Sequence, residues 1–338
     1  MKVLVTGGAG FIGSHLVETL LGRGDQVIAV DNLSTGARSN LEEVENHPGL
    51  QLVIGDICNP EFTARVVDGV DAIYHLAASV GVRRIVGNSL ASLLNNVQGT
   101  MVVLAEAAKQ NTRTIFFSSS EVYGKGTTDS LDEENDLAIG PPNILRWTYA
   151  TGKAVDESLA AAYHADMDLP VTVIRCFNTC GPRQTDAYGM VIPTFIRQAL
   201  GGLPLTIHGD GQQTRCFSYV GDVVRGAVLL ADTLDSVGEV FNVGNGNEIS
   251  IRELADMIIK LTGSVSPVTH IPYEHAFDTS FEDIRRRVPN LEKIRSYVDY
   301  SPQVHLREIL ERTIASFRSQ YDPQLKLRQI DQTIGDPV

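Results

Sequence analysis

The first sixteen residues, MKVLVTGGAGFIGSHL, constrain the fold more than any other stretch of the chain. Val3, Leu4 and Val5 form a short apolar run with the character of a strand buried on both faces. The run breaks into Gly7-Gly8-Ala9-Gly10-Phe11-Ile12-Gly13, and the apolar spacing then turns helical through Leu21. A tight glycine turn between a buried strand and a helix brings backbone N–H groups to the positive end of the helix, where they can close on a pyrophosphate. The spacing is G-x-x-G-x-x-G, one residue away from the G-x-G-x-x-G dinucleotide fingerprint. In this reading Gly7 permits the turn, Gly10 the approach to the phosphates and Gly13 the packing of helix on strand, with Phe11 and Ile12 beside them as cofactor contacts.

Many glycine triplets mark only tight turns, so the next strand decides. Gln26–Val30 is a second buried run ending in Asp31, 18 residues after Gly13. An acid there accepts hydrogen bonds from the adenosine ribose hydroxyls and repels a 2′-phosphate, which predicts NAD rather than NADP. Asn32 follows at the same strand end.

Strand and helix patterns then alternate. Leu50–Ile54, Asp71–Leu76, Thr114–Ser118 and Val171–Arg175 read as strands, and Ser89–Lys109 and Tyr149–Ala165 as helices. Such alternation implies parallel strands joined by right-handed crossovers, hence an α/β, Rossmann-like doubly wound parallel sheet. Ligands bind such sheets at the carboxyl ends of the strands. There Asp56 and Ile57 are expected at the adenine edge. Leu76, Ala77 and Ala78 would let the cofactor pass over a strand end, and Asn96 and Ser118 are further cofactor candidates.

After about residue 180 glycine and proline turns separate shorter elements. Ser250–Leu261 reads as an amphipathic helix with Ser250 as N-cap and Glu253 completing a capping box, and Leu306–Phe317 as another. The expected division is a dinucleotide-binding domain over 1–180, a smaller C-terminal substrate-binding lid region over 181–320 and a flexible tail over 321–338.

Composition sets the partners. A net charge of −13 over 338 residues argues against nucleic acid or an anionic membrane surface. No apolar run approaches the ~20 residues of a membrane span, and a strand starting at the third residue leaves no room for a signal peptide. Cys58, Cys176, Cys180 and Cys216 contain no C-x-x-C pair and no zinc spacing, which reads as reduced thiols in a cytoplasmic protein with no metal.

The chemistry concentrates in two stretches. Tyr149-Ala150-Thr151-Gly152-Lys153 puts a phenol and an ammonium four residues apart on one helix face. A nearby cation favours phenolate, and moving a tyrosine pKa from about 10 to about 7 takes roughly 4 kcal/mol. Such a pair is common on solvated helices, but downstream of a dinucleotide turn it reads as a catalytic pair. Ser118-Ser119-Ser120-Glu121-Val122-Tyr123-Gly124 closes the Thr114–Ser118 strand. Its hydroxyls can relay a proton to Tyr149, and Glu121 adds a carboxylate; the plainer reading is a serine turn that satisfies its own backbone.

With these residues in view the chain resembles the extended short-chain dehydrogenase/reductases, in the nucleotide-sugar epimerase, dehydratase and decarboxylase group. The resemblance runs from Thr6–Gly13 through His75-Leu76-Ala77-Ala78, the serine–glutamate turn and Tyr149…Lys153. It continues through Arg175-Cys176-Phe177-Asn178, Gly181-Pro182-Arg183 and Gly209-Asp210-Gly211…Arg215-Cys216-Phe217 to Phe241-Asn242-Val243-Gly244. It implies that Tyr149 takes the proton of a sugar 4-hydroxyl while NAD accepts hydride from C4, with Ser119 as the proton relay. It also implies that Asn178 and Arg215 hold the diphosphate of a UDP-sugar and that Val191, Leu205 and Ile207 flank the uracil. A homodimer through the Ser89–Lys109 and Tyr149–Ala165 helices is implied as well.

Within the group, the Ser-Glu-Val-Tyr-Gly order together with Arg215 is most similar to the UDP-glucuronate decarboxylases (UDP-xylose synthases). Glu121 is then the candidate for handling the proton at C5, with Ser120 as helper. The acid that 4,6-dehydratases carry is replaced by Ser120, which disfavours dehydration. A UDP-sugar 4-epimerase acting on UDP-glucuronate or UDP-glucose stays open, because the residues around Tyr149 are similar to those of epimerases. An NAD-sensing binding protein would be expected to have lost Tyr149 or Lys153.

Overall fold

The computed structural model of the protein describes residues 1–80, 88–126, 128–187, 189–272 and 284–320. The apolar runs of the first half form β1 (Lys2–Thr6), β2 (Gln26–Asp31), β3 (Leu50–Ile54), β4 (Ala72–His75), β5 (Arg113–Ser119) and β6 (Val171–Cys176). Between them lie α1 (Phe11–Gly22), α2 (Pro60–Val67), α3 (Ser89–Lys109) and α4 (Thr148–Met167). Beyond β6 come β7 (Thr179–Cys180), α5 (Val191–Gly201), β8 (Leu205–His208), β9 (Thr214–Cys216), β10 (Ser218–Tyr219) and α6 (Val220–Ala231). The described chain closes with β11 (Val240–Val243), β12 (Glu248–Ser250), α7 (Ile251–Thr262), β13 (Val268–Ile271), α8 (Glu292–Tyr297) and α9 (Leu306–Gln320).

Seven parallel strands lie in the order β11-β6-β5-β4-β1-β2-β3. The order reverses between β1 and β4, which opens a crevice at the carboxyl ends of both strands. Strand alternation decides which helices cover which face. Val3 and Val5 point into a core shared with Leu16, Val17 and Leu20 of α1 and Val223, Val224 and Ala227 of α6. Leu4 points the other way, towards Val67 of α2, Val103 and Leu104 of α3 and Ala160 of α4.

The chain after residue 180 serves two regions. The α6 helix packs on the same face as α1, and β11 extends the main sheet beside β6. The helices α5, α7 and α9 instead pack with β8 around a third core of Ile196, Leu205, Ile207, Leu254, Ile258 and Leu310. The capping box expected at α7 is present, with Ser250 and Glu253 each satisfying the other's backbone N–H. The expected tail, 321–338, lies outside the described residues. The four cysteines are free thiols. No helix of the described residues is long and apolar enough to cross a membrane.

Candidate active site

The dinucleotide end is built around backbone that tolerates no side chain. Gly7 has φ +71°, and a Cβ there would stand 2.9 Å from the Ala77 nitrogen. At Gly13 a Cβ would stand 2.1 Å from the Gly7 carbonyl oxygen, so the helix could not approach the turn. The N-cap of α1 is Gly10, which leaves the first-turn amides without a side-chain cap. Asp31 closes β2 with Oδ2 accepting from the Ala9 amide at 3.1 Å and Oδ1 from the Leu33 amide at 2.8 Å. Burial raises its pKa, and these two amides oppose the rise. A glycine cradle, uncapped helix amides and a fixed acid at the neighbouring strand end suit the pyrophosphate and ribose of a dinucleotide.

A cleft of about 1110 Å³ extends from this end across the sheet. Along it lie the expected cofactor residues Gly7, Gly10, Phe11, Ile12, Gly13, Asp31, Asn32, Asp56, Ile57, Leu76, Ala77, Ala78 and Ser118. Ser119, Ser120, Glu121, Tyr149, Lys153 and Asn178 line the same cleft. The end of β5 is held by a buried network. Ser118 Oγ donates to Glu157 Oε1 at 2.5 Å, and Arg175 donates to the same carboxylate through Nε and Nη2. The Arg175 guanidinium lies over the Tyr123 ring at 4.7 Å, and the Tyr123 hydroxyl donates to Asn242 Oδ1 at 2.7 Å.

Tyr149 occupies the first turn of α4, and Lys153 follows one turn later. Lys153 Nζ donates to the Phe117 carbonyl at 3.2 Å and lies 3.3 Å from Asp156 Oδ2. The surroundings of the phenol raise its proton affinity in the protein alone. Burial first, then the charges of Glu121 and Asp156, push its pKa well above the ordinary tyrosine value, against a hydrogen bond from Ser119. In the protein alone burial therefore keeps Tyr149 a phenol, with Asp156 beside Lys153 acting in the same direction.

Glu121 stands in a buried ion-pair group. Its Oε2 accepts from Arg146 Nη1 at 2.7 Å, and its Oε1 pairs with Arg287 Nη1 at 2.7 Å. Both arginine side chains are only 6% exposed. Burial would raise the carboxyl pKa, but Arg287 and Arg146 overcome it and hold the group far below the usual carboxylate range. The ion pairs make Glu121 an electrostatic tie between Arg146 and Arg287. Ser120 is buried beside it, with Arg287 Nη1 at 3.4 Å from its hydroxyl.

Several expected contacts fall elsewhere. Asn96 is occupied by the backbone of Ser79, accepting from its N–H at 2.6 Å and donating to its carbonyl at 3.1 Å, while the neighbouring Asn95 faces the cleft. Leu205 and Ile207 are wholly buried in the third core, so their side chains point into it rather than into the cleft. Val191 opens α5 packed against that same core. Arg215 donates to the Thr214 carbonyl at 2.7 Å and stands outside the cleft lining. Asn178 does line the cleft, at φ +30°, and its amide donates to the Cys216 carbonyl at 2.9 Å.

Three arginines on the cleft were given no role from the sequence: Arg146, Arg183 and Arg287. Arg183 stands in the Gly181-Pro182-Arg183 motif, and the run Arg285-Arg286-Arg287 in an acidic chain was a signal for Arg287. Arg183, also at positive φ, ties the loop after β7 to α1 by donating to Ser14 and pairing with Glu18. Among the described residues no cluster of His, Cys, Asp and Glu could hold a metal ion.

Comparison with known proteins agrees with this geometry. The family described as NAD dependent epimerase/dehydratase matches residues 3–244. A UDP-N-acetyl-alpha-D-glucosaminuronate decarboxylase of Bacillus cytotoxicus is 40% identical over 94% of this chain and 98% of its own length. UDP-glucuronic acid decarboxylase 1 of Arabidopsis thaliana is 36% identical over 94% of this chain and 70% of its own. Among solved structures, a UDP-glucuronic acid 4-epimerase from Bacillus cereus in complex with UDP-glucuronic acid and NAD superposes with a TM-score of 0.85. It is 31% identical, covering 95% of this chain and 100% of that one.

Proposed function

The chain belongs to the NAD dependent epimerase/dehydratase family, and on that premise we propose that it is an NAD-dependent UDP-uronate decarboxylase. Its reaction oxidises the sugar of UDP-glucuronate at C4, releases carbon dioxide and yields UDP-4-keto-xylose or UDP-xylose. The observation that carries this reading is the Glu121–Arg146–Arg287 group on the cleft wall that also holds Tyr149. Two guanidiniums facing one ionised carboxylate leave a net positive charge, which a substrate carboxylate can neutralise.

NAD, held by the Gly7–Gly13 turn and Asp31, supplies the acceptor for hydride from C4 and returns it at the end. Tyr149 takes the proton of the 4-hydroxyl, with Ser119 hydrogen-bonded to its phenol. The new carbonyl makes the uronate a β-keto acid, because C5 lies between it and the carboxylate. Breaking the C5–C6 bond sends its electron pair towards the 4-oxygen as carbon dioxide leaves. Hydrogen bonds from Tyr149 and Ser119 to that oxygen stabilise the enolate, and a proton taken up from solvent at C5 completes the 4-keto pentose. Arg287 and Arg146 orient the carboxylate before it departs, and Glu121 stays ionised throughout.

The similarity to a UDP-glucuronic acid 4-epimerase supports a second reading, in which the keto sugar turns in the cleft and is reduced on its other face. Incubation with NAD and either UDP-glucuronate or its 2-acetamido analogue separates the two. Carbon dioxide release with the matching loss of mass supports decarboxylation of the uronate concerned. An unchanged mass with a new sugar stereochemistry supports epimerisation, and turnover of neither uronate overturns the assignment.

The same reading places the uridine diphosphate beside Asn178 and the 181–320 region. It also places two copies together through α3 and α4. Leu90, Leu94 and Met101 of α3 and Val155 of α4 are exposed apolar side chains on that pair of helices. Free thiols at all four cysteines fit a cytoplasmic setting.

A further inference from the structure

Asp156 is a carboxylate that the reaction above does not use. It lies three residues after Lys153 on α4, and its side chain is completely buried. Neither carboxylate oxygen has a hydrogen bond of ordinary geometry. Its ion-pair partner is Lys153, with Nζ 3.3 Å from Oδ2. Burial raises its carboxyl pKa, and Lys153 is the foremost group opposing the rise, so a carboxylate at this depth draws its stability as an anion from the ammonium beside it.

Resting on the reading of Tyr149 as the base, we propose that Asp156 is a positioning residue that sets the base strength of Tyr149 by sharing the charge of Lys153. An isolated ammonium one turn from the phenol would favour phenolate even with the cleft unfilled, and a base so strongly favoured as the anion would hold a proton poorly. With Asp156 beside it the Lys153 pair is close to neutral. The phenol then keeps a high proton affinity until a positively charged nicotinamide ring enters the cleft, and ionisation of Tyr149 becomes coupled to cofactor binding.

The surrounding groups leave this task to Asp156. His75 faces Lys153 but is buried, and desolvation with the Lys153 charge pushes its pKa down to about 3, so it is a neutral ring. Cys176 also faces Lys153, and burial pushes its thiol up to about 12, so it carries no charge at neutral pH. Glu157, the next residue on α4, is committed to Arg175 and Ser118. Thr100 faces Asp156 with a neutral hydroxyl. Glu121 raises the phenol's proton affinity from the other side, but its charge is answered by Arg146 and Arg287.

The test reads tyrosine ionisation directly, as absorbance near 295 nm against pH, in the purified protein with and without NAD. The chain has 10 tyrosines, and subtracting the same titration of Tyr149→Phe isolates the one of interest. In Asp156→Asn the Tyr149 midpoint should fall by about half a pH unit or more, with and without NAD, since an opposing charge has been removed. The acid limb of kcat/KM should move down with it. Asp156→Glu, which keeps the charge, should hold the midpoint near that of the unsubstituted protein. If Asp156→Asn does not fold, Asp156→Ser removes the same charge from a smaller side chain and is read identically. A folded neutral variant whose midpoint is no lower overturns the proposal, as does a Glu variant that falls as far as the Asn variant. The measurement uses no sugar nucleotide, so a failure to decarboxylate any UDP-uronate would sink the function proposed above while leaving this result standing.

Discussion

Replacing Glu121 by glutamine separates its two roles. As a proton donor or acceptor at C5, Glu121 could be lost with little effect on stability. As the tie between Arg146 and Arg287, it holds three segments together: the turn after β5, the turn before α4 and the segment before α8. Its side chain is 18% exposed and its partners 6%, so the substitution leaves two nearly buried guanidiniums sharing one neutral amide. Removing one partner of a buried ion pair costs about 3–5 kcal/mol. The amide oxygen still accepts from one arginine, which places Glu121→Gln near the lower figure. Equilibrium urea unfolding at pH 7 measures it, with Glu311→Gln as the control. That residue pairs with Arg307 on the exposed face of α9, where such pairs contribute at most about 0.5 kcal/mol. The pH dependence has a definite sign. The folded carboxyl pKa is depressed, so the stabilisation is fully present above the unfolded value of about 4.3 and is lost as pH falls towards the folded value. The gap between wild type and variant should narrow below about pH 4.5. A Glu121→Gln protein within about 1 kcal/mol of wild type at pH 7 would refute the tie.

Three further outcomes test the rest of the site. Arg287→Ala should raise KM for UDP-glucuronate by about 10- to 100-fold, the worth of one charge-assisted hydrogen bond to a carboxylate; the dissociation constant for UDP-xylose, which lacks that carboxylate, should stay within about threefold. Tyr149→Phe should lower kcat by a factor of about 10² or more while calorimetric affinity for the UDP-sugar holds, and retained turnover would mean the base lies elsewhere. Leu205→Ala, at a wholly buried core position, should cost about 2–5 kcal/mol of stability without a selective loss of UDP affinity. A stable variant that binds UDP weakly would restore Leu205 to the base pocket.

Much of the fold was legible because it rests on local pattern. Local apolar patterns mark elements directly, so β3 and α3 have the bounds the sequence predicts. Other ends moved for a local reason: β5 continues to Ser119, whose hydroxyl then caps the turn by accepting from the Glu121 amide. The glycine turn, Asp31 and the Tyr149–Lys153 spacing were equally visible, since each depends on residues near one another in the chain. The β8 side chains were harder to place. Leu205 and Ile207 alternate towards one side, but only the packing of α5, α7 and α9 makes that side a core.

Sequence by itself therefore determined the sheet, the dinucleotide turn and the helix carrying the phenol and the ammonium, because strand, turn and helix periodicities act over short separations. Tertiary structure decided the charge states. Arg287 reaches Glu121 from a segment well over a hundred residues away, and Arg146 reaches it from the turn before α4. Burial magnifies each of those contacts. The same residue types could have made Glu121 a proton donor and Tyr149 a ready phenolate. The folded arrangement makes the first a fixed anion and leaves the second a phenol in the protein alone, because a pKa follows the charges and the water around a group rather than its place in the chain.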